Sequence, residues 1–518
     1  MTDLSLPGKV CLAMALILYV AVLILVGRLA GRRVVNGRDY LFASREVPLG
    51  LSILSLLATW FGSSAILGAT RNAYEYGMQG TVLEPFACAA ALVLTGAVFA
   101  SRLWKLELST LADLFRSQFG PWAEWISCLI QVPTFFFWIG AQYLSAGAIL
   151  NSYLGMPTWL GIVLASAVTL AILWSGGMWA VTWTDSILVG GSMVGMLLLF
   201  FSATNQIGNG NPIEGVQTVL KASPQERLQF LPIANATQIL AILGVFLTGT
   251  LGNIPGQDLQ QRIQSSASAS IARWSFLWAG LIYLVIGLIP VYIGLASRVH
   301  LQHLIAVEDI QGDKVLPIAA SYFLSEPLEI LLVIGLLSLN LAAACSSTLS
   351  QTTMLTNNVF RRWLRSPTPG TDSLDDSLNS PIAGIGFQRL SAVGVTFGSL
   401  LAAFSGESVM GLLELSLAIV LVSLVVPMCW SLFGQPAGPA TGISAMIVGT
   451  MVWGIRQILD AHLSQQSHSG WMEWYRIVPA ELQGLVASFL SAIVVDRWIR
   501  HRRIPKKKEN NRTLTRSG

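Results

Sequence analysis

The feature that most constrains this chain is a recurrence of apolar runs, each long enough to cross a lipid bilayer. Thirteen such segments follow one another along the 518 residues, and most approach the roughly 20 residues that a transmembrane helix needs. Because backbone groups in lipid must be satisfied within the segment, helices are the structure that these runs favour. The sequence therefore predicts an all-α polytopic membrane protein with thirteen transmembrane helices. Their approximate bounds are 10–28, 47–70, 81–101, 124–150, 157–175, 183–203, 236–253, 273–296, 327–357, 388–405, 409–433, 438–458 and 476–498.

Composition excludes several other classes of protein. Charged residues make up 11% of the chain and hydrophobic residues 53%, whereas soluble domains carry roughly 25% charge. A cytosolic enzyme, a disordered chain and a disulfide-rich secreted scaffold are therefore excluded. The five cysteines all fall in apolar segments without CxxC spacing, and no His, Cys or paired-acid constellation lies at bilayer depth, so an enzyme is not expected.

The distribution of Lys and Arg predicts the orientation. If the N-terminus is outside, 23 of the 31 basic residues fall on the inner side and 8 on the outer side. Cytoplasmic connections are the ones enriched in Lys and Arg, so we expect a multi-pass plasma-membrane protein with its C-terminus in the cytoplasm. The basic run at 506–508 is then a topology anchor, and no nucleic-acid partner is expected.

These spans divide the chain into two halves of five helices with additions at both ends. The linker is predicted from its Ser, Pro, Asp and Gly content. The predicted units are an N-terminal helix and cytosolic loop at 1–46, a first repeat at 47–203, an external loop at 204–235, a second repeat at 236–433 that contains a cytosolic linker at 366–386, two C-terminal helices at 434–499, and a basic cytosolic tail at 500–518.

Two of the spans carry residues that interrupt a helix. Gly62 and Ser64 fall in the middle of the second span, and Gly252, Pro255 and Gly256 fall at the end of the seventh. Interrupted helices at equivalent positions of two halves indicate a transport site near the bilayer midplane. Small residues that merely permit close helix packing are the simpler interpretation for either span alone, but the matched pair favours transport.

The ninth span offers oxygen ligands for a cation. Ala344, Ser347 and Thr348 are spaced to share one helical face. With carbonyls freed at Ala58 and Phe61 in the broken second span, they would supply about five oxygens, which suit an alkali cation and not a transition metal. The alternative is that each hydroxyl bonds the carbonyl four residues earlier in its own helix, and spacing alone favours that alternative.

Acidic side chains inside spans are costly and therefore informative. Asp185 begins the sixth span, where it would either attract a departing cation or cap a helix. Glu414 would either pair with a cationic solute or reach the outer surface, and the sequence leaves both open. Glu84 precedes Pro85, which indicates a helix start. Trp60 lies beside the break and is a candidate to stack on a solute or hold a cation on its face.

Four stretches, in chain order, resemble the sodium–solute symporter family. They are the run from Asp39 to Tyr74 with Ala58-Thr59-Trp60-Phe61, the turn Gly176–Val181 with Thr184-Asp185, the signature Gln257–Arg262 followed by Ser265, Ser266, Ala269 and Arg273, and the hydroxyl run Ser347–Ser350. The resemblance implies a LeuT-type fold of two inverted five-helix repeats, with one helix before and two after. It also implies alternating access, with solute uptake driven by the sodium gradient.

The resemblance assigns roles to individual residues. The shared sodium site would use Ala58, Phe61, Ala344, Ser347 and Thr348, and a second sodium site or an exit path would use Asp185 and Ser350. Proline carriers place an acid where Trp60 stands, and sugar carriers place polar residues where Ser64 and Ala65 stand. Choline carriers resemble this chain at Trp60 and Trp138 but carry a Trp where Gly256 stands.

The solute contacts implied by this resemblance are Trp60, Ser64, Ala65, Trp138, Gln142 and Gly256. We therefore expect a sodium-coupled secondary active symporter, with sodium as the coupling ion, working as a monomer or weak oligomer in the bilayer. A quaternary ammonium such as choline, an amino acid and a vitamin-like solute all stay open. The alternative is a membrane sensor that binds the solute without net transport. A sensor typically carries a signalling domain after its last span, where this sequence has only the tail 500–518.

Overall fold

The computed structural model describes residues 4–32, 34, 37–62, 64–231, 236–306, 313–360, 383–406, 408–463 and 477–503. Over these residues the regular structure is helical, and β-type pairing is confined to an isolated bridge between Val47 and Ser266. The predicted all-α class is therefore confirmed. The predicted linker at 366–386 and tail at 500–518 lie mostly outside the described residues, although 383–386 and 500–503 belong to helices.

The α-helices are α1 (Leu6–Gly31), α2 (Gly37–Phe42), α3 (Leu49–Trp60), α4 (Ala69–Tyr76), α5 (Cys88–Leu94), α6 (Ala100–Lys105), α7 (Leu111–Phe119), α8 (Pro121–Leu154), α9 (Thr158–Ile207), α10 (Pro212–Ala222), α11 (Gln225–Leu228), α12 (Ala236–Leu251), α13 (Gln257–Ser265), α14 (Ala269–His300), α15 (Val315–Phe323), α16 (Glu326–Met354), α17 (Ala383–Ser405), α18 (Val409–Phe433), α19 (Pro439–Leu463) and α20 (Ala480–Arg503). Wider π-helical segments lie at Ser64–Gly68, Val82–Ala87, Thr95–Phe99 and Leu355–Phe360, and 3₁₀ turns at Ala43–Arg45 and Gly77–Thr81.

Ten helical stretches in the described part of the chain are long and apolar enough to cross a membrane, and Leu49–Trp60 and Thr237–Leu251 are shorter apolar helices. Two of the ten, Ser64–Lys105 and Thr158–Ile207, contain 42 and 50 residues. At about 1.5 Å per residue, each is much longer than the roughly 30 Å of hydrocarbon that a span must cross. Each therefore has to change direction along its length.

The change of direction in α9 falls at two glycines. Gly176 and Gly177 leave the helical conformation, and Gly177 has a φ of 53°, where a side chain would be strained. A Cβ atom on Gly177 would also lie 2.4 Å from the carbonyl oxygen of Tyr40. The glycine thus lets α2 approach the turn closely, and the Tyr40 hydroxyl donates a hydrogen bond to the Leu173 carbonyl at 2.8 Å.

Two helices end inside the core of the protein rather than at its surface. The chain leaves α3 at Phe61, which has a ψ of 67°. It leaves α12 at Leu251 and turns tightly until α13 begins, with the amide of Gly256 donating to the carbonyl of Asn253 at 3.0 Å. Both interruptions expected from the sequence are present. The α3 break packs against α9, α14 and α16, which form the scaffold around it.

Candidate functional site

The break after α3 changes the hydrogen bonding of its last turn. The amide of Gly62 donates to the carbonyl of Trp60 at 2.8 Å. In a continuous helix the same amide would donate to the carbonyl of Ala58, four residues earlier. Ala58 and Phe61 are both buried. The break thus frees backbone oxygen in the protein interior, where an unsatisfied carbonyl needs another partner.

The hydroxyl face of α16 differs from the ordinary pattern of hydroxyls in membrane helices. Ser350 donates to the carbonyl of Ser347 at 2.8 Å, and Thr353 donates to that of Leu349 at 2.9 Å. The fully buried hydroxyls of Ser347 and Thr348 form no hydrogen bond within 3.5 Å among the described residues, as is also true of Thr352 in the same helix. The hydroxyl of Tyr143 faces that of Thr348. Bonding within the helix therefore explains Ser350 and Thr353 and leaves the two predicted sodium ligands unexplained. A buried hydroxyl without a partner is costly.

Arg262 of α13 forms hydrogen bonds to side chains of both α3 and α16. Its Nη2 atom lies 3.0 Å from Thr59 Oγ1 and 2.5 Å from Ser346 Oγ. Thr59 follows Ala58 in the chain, and Ser346 precedes Ser347. Of the predicted sodium residues, Ala58 and Ser347 are therefore each next in the chain to a side chain bonded to this nitrogen atom. Phe61, Thr348 and Ala344 are each two residues from such a side chain, and Ala344 is buried.

Asp185 lies well inside α9, past the glycine turn, and does not cap a helix end. Its Oδ2 atom accepts hydrogen bonds from Arg262 Nη2 at 3.1 Å, Ser55 Oγ at 2.9 Å and Ser346 Oγ at 3.4 Å. The hydroxyl of Ser350 bonds the Ser347 carbonyl and the side-chain amide of Gln351. Asp185 is therefore already paired with a cation of the protein itself, which the sequence reasoning did not foresee.

Glu84 is not the simple helix start that its position before Pro85 suggested. It lies in the π-helical segment Val82–Ala87 with 1% of its surface exposed. Its carboxyl group is hydrogen-bonded to Ser64 Oγ at 3.1 Å and to Tyr283 Oη at 2.6 Å. Ser64, a predicted solute contact, thus bonds to Glu84. The signal that pointed here was an acid inside an apolar segment, which the neighbouring proline obscured.

A narrow cavity of only about 10 Å³, roughly the space of one water molecule, lies between α8, the α12–α13 break and α18. It contains two of the predicted solute contacts, Trp138 and Gly256, and Trp138 packs against Phe135 with ring centroids 6.5 Å apart. Asp258 lines the same cavity, and the indole of Trp60 lies beside its carboxyl group. The sequence reasoning used Asp258 only as part of a motif and missed it as a cavity residue. The remaining lining residues are Gly252, Asn253, Ser416, Leu417 and Val420.

The remaining candidate residues are Gln142, Ala65 and Glu414. A Cβ atom on Gly62 would lie 2.6 Å from Gln142 Oε1, so Gln142 of α8 packs directly on the α3 break. Ala65 is buried in the π-helical segment that follows the break. Glu414 lies on an exposed face of α18. Among the described residues, no group of three or more His, Cys, Asp and Glu side chains forms a metal cluster.

Comparison with known proteins places this architecture in a family. The profile of the sodium:solute symporter family matches residues 40–367, so the chain belongs to that family, and the resemblance seen in the sequence is confirmed. Members and relatives of this family are transporters and not enzymes.

The curated relatives include high-affinity choline transporters. The chain is 26% identical to the one from Drosophila melanogaster, over 55% of this chain and 45% of that protein. It is 23% identical to the human one, over 67% of this chain and 61% of that protein. The chain thus spans about half to three-fifths of the length of these relatives.

Solved structures show the fold. A Na⁺-coupled sialic acid symporter in a substrate-bound outward-open state superposes with a TM-score of 0.72 at 18% identity, covering 95% of this chain and 98% of that one. A nucleobase-cation-symport-1 family transporter superposes with a TM-score of 0.53 at 15% identity, covering 89% and 95%. The chain therefore has the LeuT-type fold.

Proposed function

We propose that this protein is a sodium-coupled secondary active symporter that imports a small organic solute by alternating access. The observation that carries the proposal is the pair of fully buried hydroxyls without a hydrogen bond at Ser347 and Thr348, on a helix that packs against α3. These neutral oxygens, together with backbone oxygens of Ala58, Phe61 and Ala344, suit a hard monovalent cation. Sodium bound there would connect α3 to α16 and so favour one conformation of the cycle.

We assign Asp185 to the exit path of the ion rather than to a second sodium site. Arg262 already contacts the Oδ2 atom of Asp185 at 3.1 Å. A second cation would have to share this carboxylate with a buried guanidinium, and like charges close together in the protein interior repel strongly. Ser350, the other residue of the predicted second site, bonds to its own helix.

The proposed topology has thirteen spans with the N-terminus outside. The turn at Gly176 and Gly177 divides α9 into two spans, and the 3₁₀ turn Gly77–Thr81 separates the second half of the broken helix from the span that follows it. Arg71 and Asp313, from two connections assigned to the outside, form an ion pair at 3.3 Å. The two charged connections therefore lie at the same end of the molecule, as this topology requires.

The cavity beside the break favours a small solute that carries a positive charge. The face of an aromatic ring attracts a cation, and a buried carboxylate attracts it more strongly. Trp138 and Asp258 line the cavity, and the indole of Trp60 lies beside the Asp258 carboxyl group. The cavity would widen in another conformation of the cycle to admit the solute. A Cβ atom on Gly256 would lie 2.4 Å from Asp258 Oδ1, so a carboxylate lies against the position where choline carriers have a Trp. We therefore place a quaternary or primary ammonium group here, ahead of a neutral vitamin-like solute.

The test is solute uptake into proteoliposomes that contain the purified chain. Labelled choline, amino acids and vitamin-like solutes are offered under an inward sodium gradient and, for comparison, an equal potassium gradient. We expect a cationic solute to accumulate above its external concentration with sodium only, and Asp258→Asn to weaken its apparent affinity about tenfold, near the value of one charge-assisted hydrogen bond. Sodium-dependent binding of a solute without accumulation would establish the sensor instead.

A further inference from the structure

Glu84 lies behind the α3 break, on the side of α14. Its two carboxyl oxygens lie 3.1 Å from Ser64 Oγ and 2.6 Å from Tyr283 Oη. Tyr283 is fully buried, its ring packs on Phe61 with centroids 4.5 Å apart, and its hydroxyl also lies 3.3 Å from the carbonyl oxygen of Trp60. One tyrosine therefore connects a membrane-embedded acid to the backbone where the first core helix breaks.

The contacts from Glu84 through Tyr283 to the Trp60 carbonyl determine which oxygen carries the proton. Tyr283 Oη is close to two oxygens, Glu84 Oε2 and the Trp60 carbonyl, and a phenol has only one proton to donate. A carbonyl oxygen can only accept. Both contacts can be hydrogen bonds at the same time only if the proton in the shorter one belongs to Glu84. The carboxylic acid then donates to Tyr283, and Tyr283 donates to Trp60.

The charges around Glu84 also indicate that its carboxyl group is protonated. Among the described residues it forms no ion pair, and the titratable groups that face it are Tyr283 and the thiol of Cys88. Tyrosine and cysteine side chains are ordinarily neutral at physiological pH. Asn253 of α12 bonds to Cys88 and brings no charge. The cations of the adjacent helices point elsewhere: Arg71 of α4 pairs with Glu75 and Asp313, while Arg273 and Arg298 of α14 lie over the rings of Trp274 and Tyr74. An ionised carboxylate buried without a cation is very costly.

We propose that Glu84 is a proton-binding site, and that in this conformation it holds a proton and donates it through Tyr283 to the Trp60 carbonyl. When Glu84 takes up a proton from the aqueous solution, one O–H bond forms on its carboxyl group. The buried cluster of Glu84, Tyr283 and Ser64 is then neutral. When the proton leaves, Tyr283 donates to the carboxylate and the Trp60 carbonyl loses its donor. The proton thus controls a hydrogen bond of the α3 break itself. This inference does not depend on sodium coupling or on the identity of the solute.

The test is infrared spectroscopy of the purified full-length chain in lipid at neutral pH, without sodium or solute. We expect the C=O stretching band of a protonated carboxyl group in the wild type, its loss in Glu84→Gln, and its retention in the control Glu226→Gln, whose acid is exposed on the short helix α11 outside the spans. If the difference between wild type and Glu84→Gln contains carboxylate bands instead, Glu84 is ionised and the proposal is wrong.

A second variant keeps the test decisive if Glu84→Gln does not fold. Tyr283→Phe removes the acceptor of the Glu84 proton and keeps the aromatic ring. We expect its carboxyl band to move to higher frequency because the acid loses a strong hydrogen bond, while Ser64→Ala gives a separate shift from loss of the donor to Oε1. An unmoved band in Tyr283→Phe would show that Glu84 does not donate to the tyrosine. None of these readings requires transport, so they fail or succeed independently of the symporter proposal.

Discussion

Asp185 and Glu84 are both buried acids that reach the α3 segment, yet their charges are handled differently. Asp185 accepts from Arg262 and Ser55, so its charge is balanced by a cation of the protein. Glu84 contacts two neutral hydroxyls, on Ser64 and Tyr283, and no described ion pair reaches it. The comparison indicates that a buried acid in a membrane protein needs one compensating positive charge. For Asp185 this charge is the guanidinium of Arg262, and for Glu84 we propose that it is a proton taken from solution.

The largest expected effect comes from removing the built-in cation. Arg262→Met leaves Asp185 buried without compensation, and breaking a buried ion pair in this way typically costs about 3–5 kcal/mol. We expect a marked drop in the apparent melting temperature of the purified protein in detergent. Because replacing both partners of a buried pair by apolar residues is often neutral, the double variant Arg262→Met with Asp185→Leu should recover most of the loss. A double variant as unstable as the single one would contradict the ion-pair account.

A smaller effect sharpens the contrast, because the same chemical change is made at both acids. Asp185→Asn leaves a buried guanidinium without its anion and should lower the melting temperature clearly. Glu84→Gln replaces a neutral acid by a neutral amide of similar shape, and we expect less than about 1 kcal/mol of destabilisation, within the range of one neutral hydrogen bond. Equal losses at both positions, measured side by side in thermal unfolding, would remove the distinction drawn here.

The sequence was sufficient for the helical class, the family and the two interruptions, because apolar length and glycine or proline punctuation are local signals. It was not sufficient for the charge balance. Arg262 lies 77 residues from Asp185 in the chain, and no spacing rule pairs residues so distant. Glu84 was misjudged for a similar reason, since its partner Tyr283 lies 199 residues away.

The cavity illustrates the same limit. Gly256 was read as a missing aromatic wall, which is a comparison along one stretch of chain. Only the fold shows that the carboxylate of Asp258 lies against Gly256 and lines the cavity with Trp138. For the hydroxyls of Ser347 and Thr348, the structure removes the simpler interpretation that the sequence favoured. Spacing favoured bonding within their own helix, whereas in the structure neither forms a hydrogen bond within 3.5 Å among the described residues.

The sodium requirement of transport tests the central claim most directly. Ser347→Ala and Thr348→Ala each remove one proposed oxygen ligand. The control Ser338→Ala removes a buried hydroxyl of the same helix, which donates to the carbonyl of Ile334 four residues earlier. Once a transported solute is known, we expect the sodium concentration for half-maximal uptake to rise about tenfold or more in the first two variants, since bonds to charged groups contribute about 1.5–3 kcal/mol, and to stay unchanged in the third. A normal sodium requirement in both Ser347→Ala and Thr348→Ala would contradict the account.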